Sequence, residues 1–505
     1  MSRMSRFLHR SVFIALAATS RIVAAPITPA EDPNAPVSFY KHIRPIFQAN
    51  CNGCHQPAKK KSGYLMTDFA RLLEGGDDAK EAGKKAVVPG QPGASLLVEQ
   101  ITPHDGKAEM PPKKAPLAEK DIARIRKWIA EGAKNDTPEN ARQKIDAEHP
   151  PVYQQPPVIA SLDFSPDGTL LAVAGFHEVL VWKSDASELV ARLIGLGERV
   201  QAVRFSPDGK QLATAGGQPA EFGEIQIWDV EKHALLLSSM HGGDTIYGVS
   251  WSPDAKLISF GGPDKTVRAI EAATGKQVLQ QTSHDDWVID TAFTHKSENL
   301  VSVGRDMTAK LTEVATQRFV DNISSITPGA LRGGIHSIAR HPERDEFAIG
   351  SSDGVPSVYR LNRKTQRHIG DNALCVRKWP AMDGRIYAVH FAPDGKSFAA
   401  ASSLDGKGAV HRYNYDFNTE MPPEFVAIES KDFGGRSDDE KKRLNDHYHS
   451  ETKQLAAAQF PGGIYALRYK PDGSAIAIAG EDGKVRLLNP TDLSVMKEFT
   501  PVPLK

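Results

Sequence analysis

Hydrophobic positions along the chain fall into three regimes. Ser11 to Ser20 is a short apolar run preceded by Arg3, Arg6 and Arg10. Between residues 37 and 135 the spacing is helical. Phe39, Ile43, Ile46 and Phe47 follow i, i+4, i+7, i+8, and Ile122, Ile125, Trp128 and Ile129 make a second stripe, so both segments are predicted as amphipathic helices. Pro45 suits a first helical turn better than an interior, which predicts a second short helix starting there. Gly132 is placed as a C-terminal stop. Beyond about residue 158 the pattern changes to short β runs, such as Leu171–Ala174, Leu300–Val303 and Ile476–Ala479. No later stretch approaches the roughly 18 apolar residues of a membrane-spanning helix.

The β runs are punctuated by a repeat. Phe164-Ser165-Pro166-Asp167-Gly168 returns at Phe205–Gly209, in part at Trp251–Asp254, weakly at Phe293 and Arg340, and clearly at Phe391–Gly395 and Tyr469–Gly473. The spacings of 41, 46, 42, 47 and 51 residues, then 78, lie mostly near the ~40–45-residue period of four-stranded propeller blades. Asp353-Gly354, Asp405-Gly406 and Asp482-Gly483 supply the turn chemistry of a second hairpin, and Trp228-Asp229 is an intact Trp-Asp pair. Together these motifs resemble the WD-repeat family. The resemblance implies an all-β propeller over residues 158–505; the count of anchors supports seven blades, with another count left open by the decayed copies at Phe293 and Arg340, and a last repeat ending in Val495 to Phe499 would close the ring by packing. The long spacing marks an insertion at about 414–459, where Ser437 followed by Asp438, Asp439 and Glu440 predicts a helix start. His447 and His449 in that helix are expected to be solvated rather than metal-bound, and Cys375 to be a small buried hydrophobe. Aligning the repeats puts Gln201, Tyr247, Ile289, His336, Tyr387 and Tyr465 at one equivalent position near a channel mouth. They are either packing residues of a narrow funnel or a partner surface built on Tyr247, His336, Tyr387 and Tyr465.

Cys51-Asn52-Gly53-Cys54-His55 is a C-x-x-C-H run, the attachment signature of c-type haem. On a helical turn these three side chains share a face, so two thiols can form thioethers while the imidazole reaches iron. A zinc site would need a second Cys/His pair nearby, and a thioredoxin-like site a βαβ context; neither is present. Met110, ahead of Pro111-Pro112, is the expected distal ligand, with Met66, His104 and Met421 as rivals. Ile43-Arg44-Pro45-Ile46-Phe47 before the motif, Val88-Pro89-Gly90, Ser95-Leu96-Leu97, Met110-Pro111-Pro112 and Ile125 to Ala133 after it resemble the planctomycete-type cytochrome c domain. That resemblance implies a small all-α domain at 37–135 holding one covalent haem c, with His55 and Met110 as axial ligands.

Arg3, Arg6 and Arg10, the apolar run and Val23-Ala24-Ala25 have the layout of a secretory signal over residues 1–25, so an exported, periplasmic protein is expected. Residues 136–157 are polar and rich in proline, as in a linker. The whole chain has 62 Lys+Arg and 62 Asp+Glu, which argues against a nucleic-acid binder. The neutrality is a cancellation: residues 37–135 hold 17 basic and 11 acidic side chains, residues 136–505 hold 41 and 49. Lys59, Lys60, Lys61, Lys107, Lys113 and Lys114 cluster in sequence around the two haem motifs. They form either an ordinary solvated face or one steering toward an acidic redox partner. The expected function is an electron carrier whose propeller is a partner-binding scaffold, rather than an enzyme. The alternatives are a propeller redox enzyme with a second cofactor, and a haem-based redox sensor or adaptor.

Overall fold

The aromatic and isoleucine stripe after residue 37 forms a π turn, Phe39–Ile43, running into an α-helix, Arg44–Asn50, with Pro45 in the first turn of the latter. These features come from a computed structural model, which describes residues 35–505 apart from 57–58, 113, 139–144, 325–332, 364, 367 and 369–371. The expected signal at 1–25 and Lys113 lie outside the described residues. Ser38 opens the segment, its Oγ accepting from the Lys41 N–H at 2.9 Å. The second stripe is the helix Glu119–Ala130, with Ile122, Ile125, Trp128 and Ile129 all buried. Gly132, at φ 96°, ends it, while its N–H and that of Ala133 satisfy the carbonyls of Ile129 and Trp128. Phe39 packs edge-on against Phe69 at 4.8 Å and lies 5.4 Å from Trp128, closing a core shared with Leu72, Leu97 and Ile101. Burial of each large side chain there is worth about 1.5–3 kcal/mol.

From Leu162 onward the described residues form antiparallel sheets: one of seven strands over 162–241, then five of four strands over 247–281, 288–322, 335–378, 385–461 and 464–499. The seven-stranded sheet is continuous through one 17-residue strand, Leu189–Phe205. Its first part pairs with Phe176–Lys183 and its last part with Gln211–Gln218. Every repeat anchor ends a strand: Leu162–Phe164, Leu189–Phe205, Tyr247–Trp251, Val288–Phe293, Ile335–Arg340, Arg385–Phe391 and Ile464–Tyr469. These strands pack side by side in chain order, and the last lies against the first. There Arg468 pairs with Asp163 at 3.3 Å and the Ile159 N–H donates to the Gly480 carbonyl at 2.9 Å.

The Ser-Pro-Asp-Gly turn has a local cause. Ser165, Ser206 and Ser252 donate to Asp167, Asp208 and Asp254 and accept from the N–H groups of Leu170, Gln211 and Leu257. Gly168, Gly209, Gly395 and Gly473 take the left-handed position near φ 70°. Where the repeat has decayed, Ser297 occupies that conformation and Thr294 stands in for the serine, accepting from Asn299 N–H. In the next copy His341 Nδ1 accepts from the N–H groups of Glu343 and Arg344.

Two helices, Pro423–Glu429 and Asp438–Tyr448, lie between the strands Lys407–Asn414 and Gln454–Pro461. A capping box between Ser437 and Glu440 starts the second. Of its two histidines, His449 is exposed as expected and His447 is not. His447 is buried, stacked on Phe425 at 4.2 Å and within 3.2 Å of Arg377, and burial with that guanidinium lowers its pKa to about 4. His449 is bonded separately, to the Lys378 carbonyl. Cys375 is fully buried, and burial pushes its thiol up to about 11.

Candidate functional site

The helix Arg44–Asn50 delivers the cysteine motif to the wall of a cavity, but the motif itself is not helical. Cys51 leaves helical geometry as the C-cap, the N–H groups of Cys54 and His55 both return to the Cys51 carbonyl, and His55 begins a two-stranded ribbon with Lys59–Lys60. Gln56 precedes Pro57, and a residue before proline disfavours the α region, so the chain turns extended there. The expected shared face needs a single helical turn, and the chain keeps that one turn before it becomes extended at His55. The i, i+3, i+4 proximity survives because the turn keeps the Cys51 to His55 backbone bond.

Cys51, Cys54, His55, Met66 and Met110 line one cavity of about 710 Å³, with Leu97, Ile101 and Leu117 among its apolar walls. That volume is in the range of sites for large organic ligands. The His55 ring is buried and 5.2 Å from Tyr64, its Nδ1 makes no hydrogen bond among the described residues, and burial lowers its pKa against the opposing backbone groups of Tyr64 and Lys61. A neutral imidazole is the form that ligates a metal. Burial raises the Cys51 thiol to about 12, Cys54 adding and Lys114 opposing, the reverse of the acidified thiolate of a redox C-x-x-C site. Two thiols, an imidazole and two thioethers around an apolar cavity are a donor set that fits a haem.

Among the rivals for the distal position, Met66 is buried in the core and Met110 is half-buried with its N–H on the Gln100 carbonyl. Met421 packs with Ile428 and Tyr448 in a separate cluster, and His104 is exposed in a turn with Lys107. Neither of these two lines the cavity. Of the lysines, Lys60 and Lys107 are exposed and Lys114 lines the cavity, whereas Lys59 is half-buried and donates to the Leu236 carbonyl. Leu236–Met240 and Ala273–Gln277, distant in sequence, face the same cavity. Nothing within the cysteine motif marks that neighbour.

A second cavity, of about 380 Å³, brings together Gln201, Tyr247, Ile289, His336, Tyr387 and Tyr465. His336 lies 5.0 Å from Tyr387, which meets Tyr465 edge-on at 5.1 Å, and Tyr247 stacks on Trp287 at 5.7 Å. Burial, with Arg385 and Arg305, lowers the His336 pKa to about 4. Arg204, Asp290 and Arg468 line the same cavity. Burial lowers the Arg468 guanidinium to about 10, and Arg204 adds to this while Asp163 and Asp290 oppose it. The carboxyls of Asp163 and Asp290 are raised by burial against the pull of both arginines. Three of these charged residues carry a sequence signal that was missed: Asp163, Arg204 and Arg468 each immediately precede an anchor aromatic.

No helix among the described residues is long and apolar enough to cross a membrane. No curated protein matches the chain. A family model described as WD domain, G-beta repeat, matches residues 235–270 and 453–489, and one described as Planctomycete cytochrome C matches residues 51–114, from Cys51 past Met110. The chain thus joins a domain of the planctomycete cytochrome C family, which implies haem, to WD repeats, which generally mediate protein–protein interaction.

Proposed function

We propose that the protein is an exported c-type cytochrome with one haem, attached through Cys51 and Cys54 and ligated by His55 and Met110. Its β portion is a seven-bladed propeller serving as a partner-binding scaffold. The observation that carries the reading is the convergence of both cysteines, His55 and Met110 on one largely apolar cavity. Seven anchor strands packed in chain order, the last against the first, support the blade count, with two blades fused through Leu189–Phe205. The change from helices to sheets supports a domain division at residues 37–135 and 158–505.

A bound haem supplies one-electron redox chemistry. The chain's part is to hold and shield it. His55 is oriented by its buried ring against Tyr64 and by its backbone carbonyl, which accepts from Met66 N–H. Met110 is held at the cavity by its N–H bond to Gln100, and its thioether favours a raised potential suited to electron transfer. Exposed Lys60 and Lys114 give the domain a basic face toward an acidic redox partner.

Met110→Ala tests the ligand assignment. The oxidised variant is expected to lose the near-infrared charge-transfer band of Met–iron ligation with haem content unchanged; an unaltered spectrum transfers the role to Met66. The aromatic mouth is assigned to partner docking, since tyrosine is favoured at interface anchors. Changing Tyr247, Tyr387 and Tyr465 together to alanine should weaken partner binding at least tenfold with the haem spectrum intact. Unchanged affinity would leave the rings as packing alone.

A further inference from the structure

We propose that the haem pocket is shared between the two parts of the chain. Its second wall is the WD-repeat edge Leu236–Met240 with the turn Ala273–Gln277, and this wall covers the prosthetic group and helps set its potential. The inference rests on the haem reading of the cavity.

Ala234–His241 is the outermost strand of its sheet, and such an edge is normally blunted or covered. Here the cysteine motif covers it. A Cβ added at Gly53 would collide with the Ser238 carbonyl oxygen, so the middle of C-x-x-C-H touches this strand as closely as a backbone can. Lys59 donates to the Leu236 carbonyl on the same edge. A second tie lies beside it, where Arg44 pairs with Glu221 at 3.1 Å under the Tyr40 ring. The motif is thus fixed to the sheet at several points.

The wall has the character of a pocket lining. Leu236 is 41% exposed, yet it lines the cavity, an apolar side chain facing an apolar site. Lys276 lines the cavity from the turn, and Lys114 lines it from the helical part of the chain. Ferric haem carries one more positive charge than ferrous haem. A carboxylate placed on this wall therefore stabilises the oxidised form, and does so more strongly where water is excluded.

The test is a redox titration of the intact holoprotein in three variants. Leu236→Glu is expected to shift the one-electron equilibrium about tenfold toward the oxidised form, a fall of about 59 mV. Lys276→Glu, at an exposed turn position that tolerates substitution, should shift it in the same direction. Leu404→Glu, equally exposed but remote from the cavity, should leave the potential where it is. Potentials of the first two variants that match the third, with haem still attached, overturn the shared pocket and leave the haem reading standing. Absence of covalent haem from the unaltered protein overturns both.

Discussion

A double variant, Cys51→Ala with Cys54→Ala, is expected to retain no haem through denaturation, a complete loss against the unaltered protein. The measurement is haem-stained denaturing electrophoresis with a pyridine haemochrome assay of haem per chain. The cause is local. The two thiols are the cysteines on the cavity wall, and Cys375, the remaining cysteine, is buried in a different cluster. Without thioethers the group would be held by His55, Met110 and packing alone. The helical core that must hold it is small, and a small domain has little surplus burial to spare. A haem bound there would stabilise that core as well, because residues such as Leu97 and Ile101 serve both the core and the cavity wall. The haem-free chain should therefore melt earlier in its helical part, with the β signal little changed. Haem that stays bound after denaturation of the double variant would remove both cysteines from the site. A second prosthetic group in the unaltered protein would instead favour the propeller redox enzyme.

What could be read from sequence was what depends on local rules. The anchors at Phe164, Phe205, Trp251, Phe293, Arg340, Phe391 and Tyr469 all end strands, because each is followed by a turn closed by hydrogen bonds among the next few residues. Ile125 and Trp128 were legible as core for the same reason, through helical period. What escaped depends on pairs far apart in the chain. Gly53 reads as a spacer in a motif, yet its smallness is needed by Ser238, and Lys59 reads as surface charge, yet it serves the Leu236 carbonyl. His447 looked solvated because its own helix is charged; the partners that bury it, Phe425 and Arg377, come from other elements. The helix ends at Cys51, whereas the proline at 57 restricts only Gln56, so neither that proline nor the spacing of the motif marks where the helix breaks.

Asp306→Ala is expected to destabilise the β portion by about 3–5 kcal/mol, the cost of removing one partner from a buried charged network. Asp306 sits between the strands Asn299–Gly304 and Ala309–Glu313 with its side chain 4% exposed. It accepts from Asp285 N–H and from Thr308 Oγ1, and lies 2.9 Å from His284 Nδ1 and 3.7 Å from Lys310 Nζ. The far nitrogen of the same imidazole meets Ser302 Oγ at 2.8 Å. The carboxylate thereby joins the loop leaving one sheet to a hairpin of the next, and alanine would strand a fully buried imidazole and a nearly buried ammonium. Asp306→Asn keeps the shape and part of the hydrogen bonding, so it should cost less, and comparison of the two separates charge from contact. Burial alone raises the Asp306 carboxyl, but His284, the Asp285 N–H and Thr308 outweigh it and hold the group well below the usual carboxylate range. A depressed folded-state value means that the ionised form stabilises the fold. This contribution is complete above the unfolded value of about 3.9 and fades as pH falls below it toward the folded one. The gap in urea midpoint between unaltered protein and Asp306→Asn, followed by circular dichroism, should hold constant from neutrality to about pH 5 and narrow below about pH 4. Equal midpoints at neutral pH, or a gap that widens in acid, would show that the carboxylate does not bind these two sheets together.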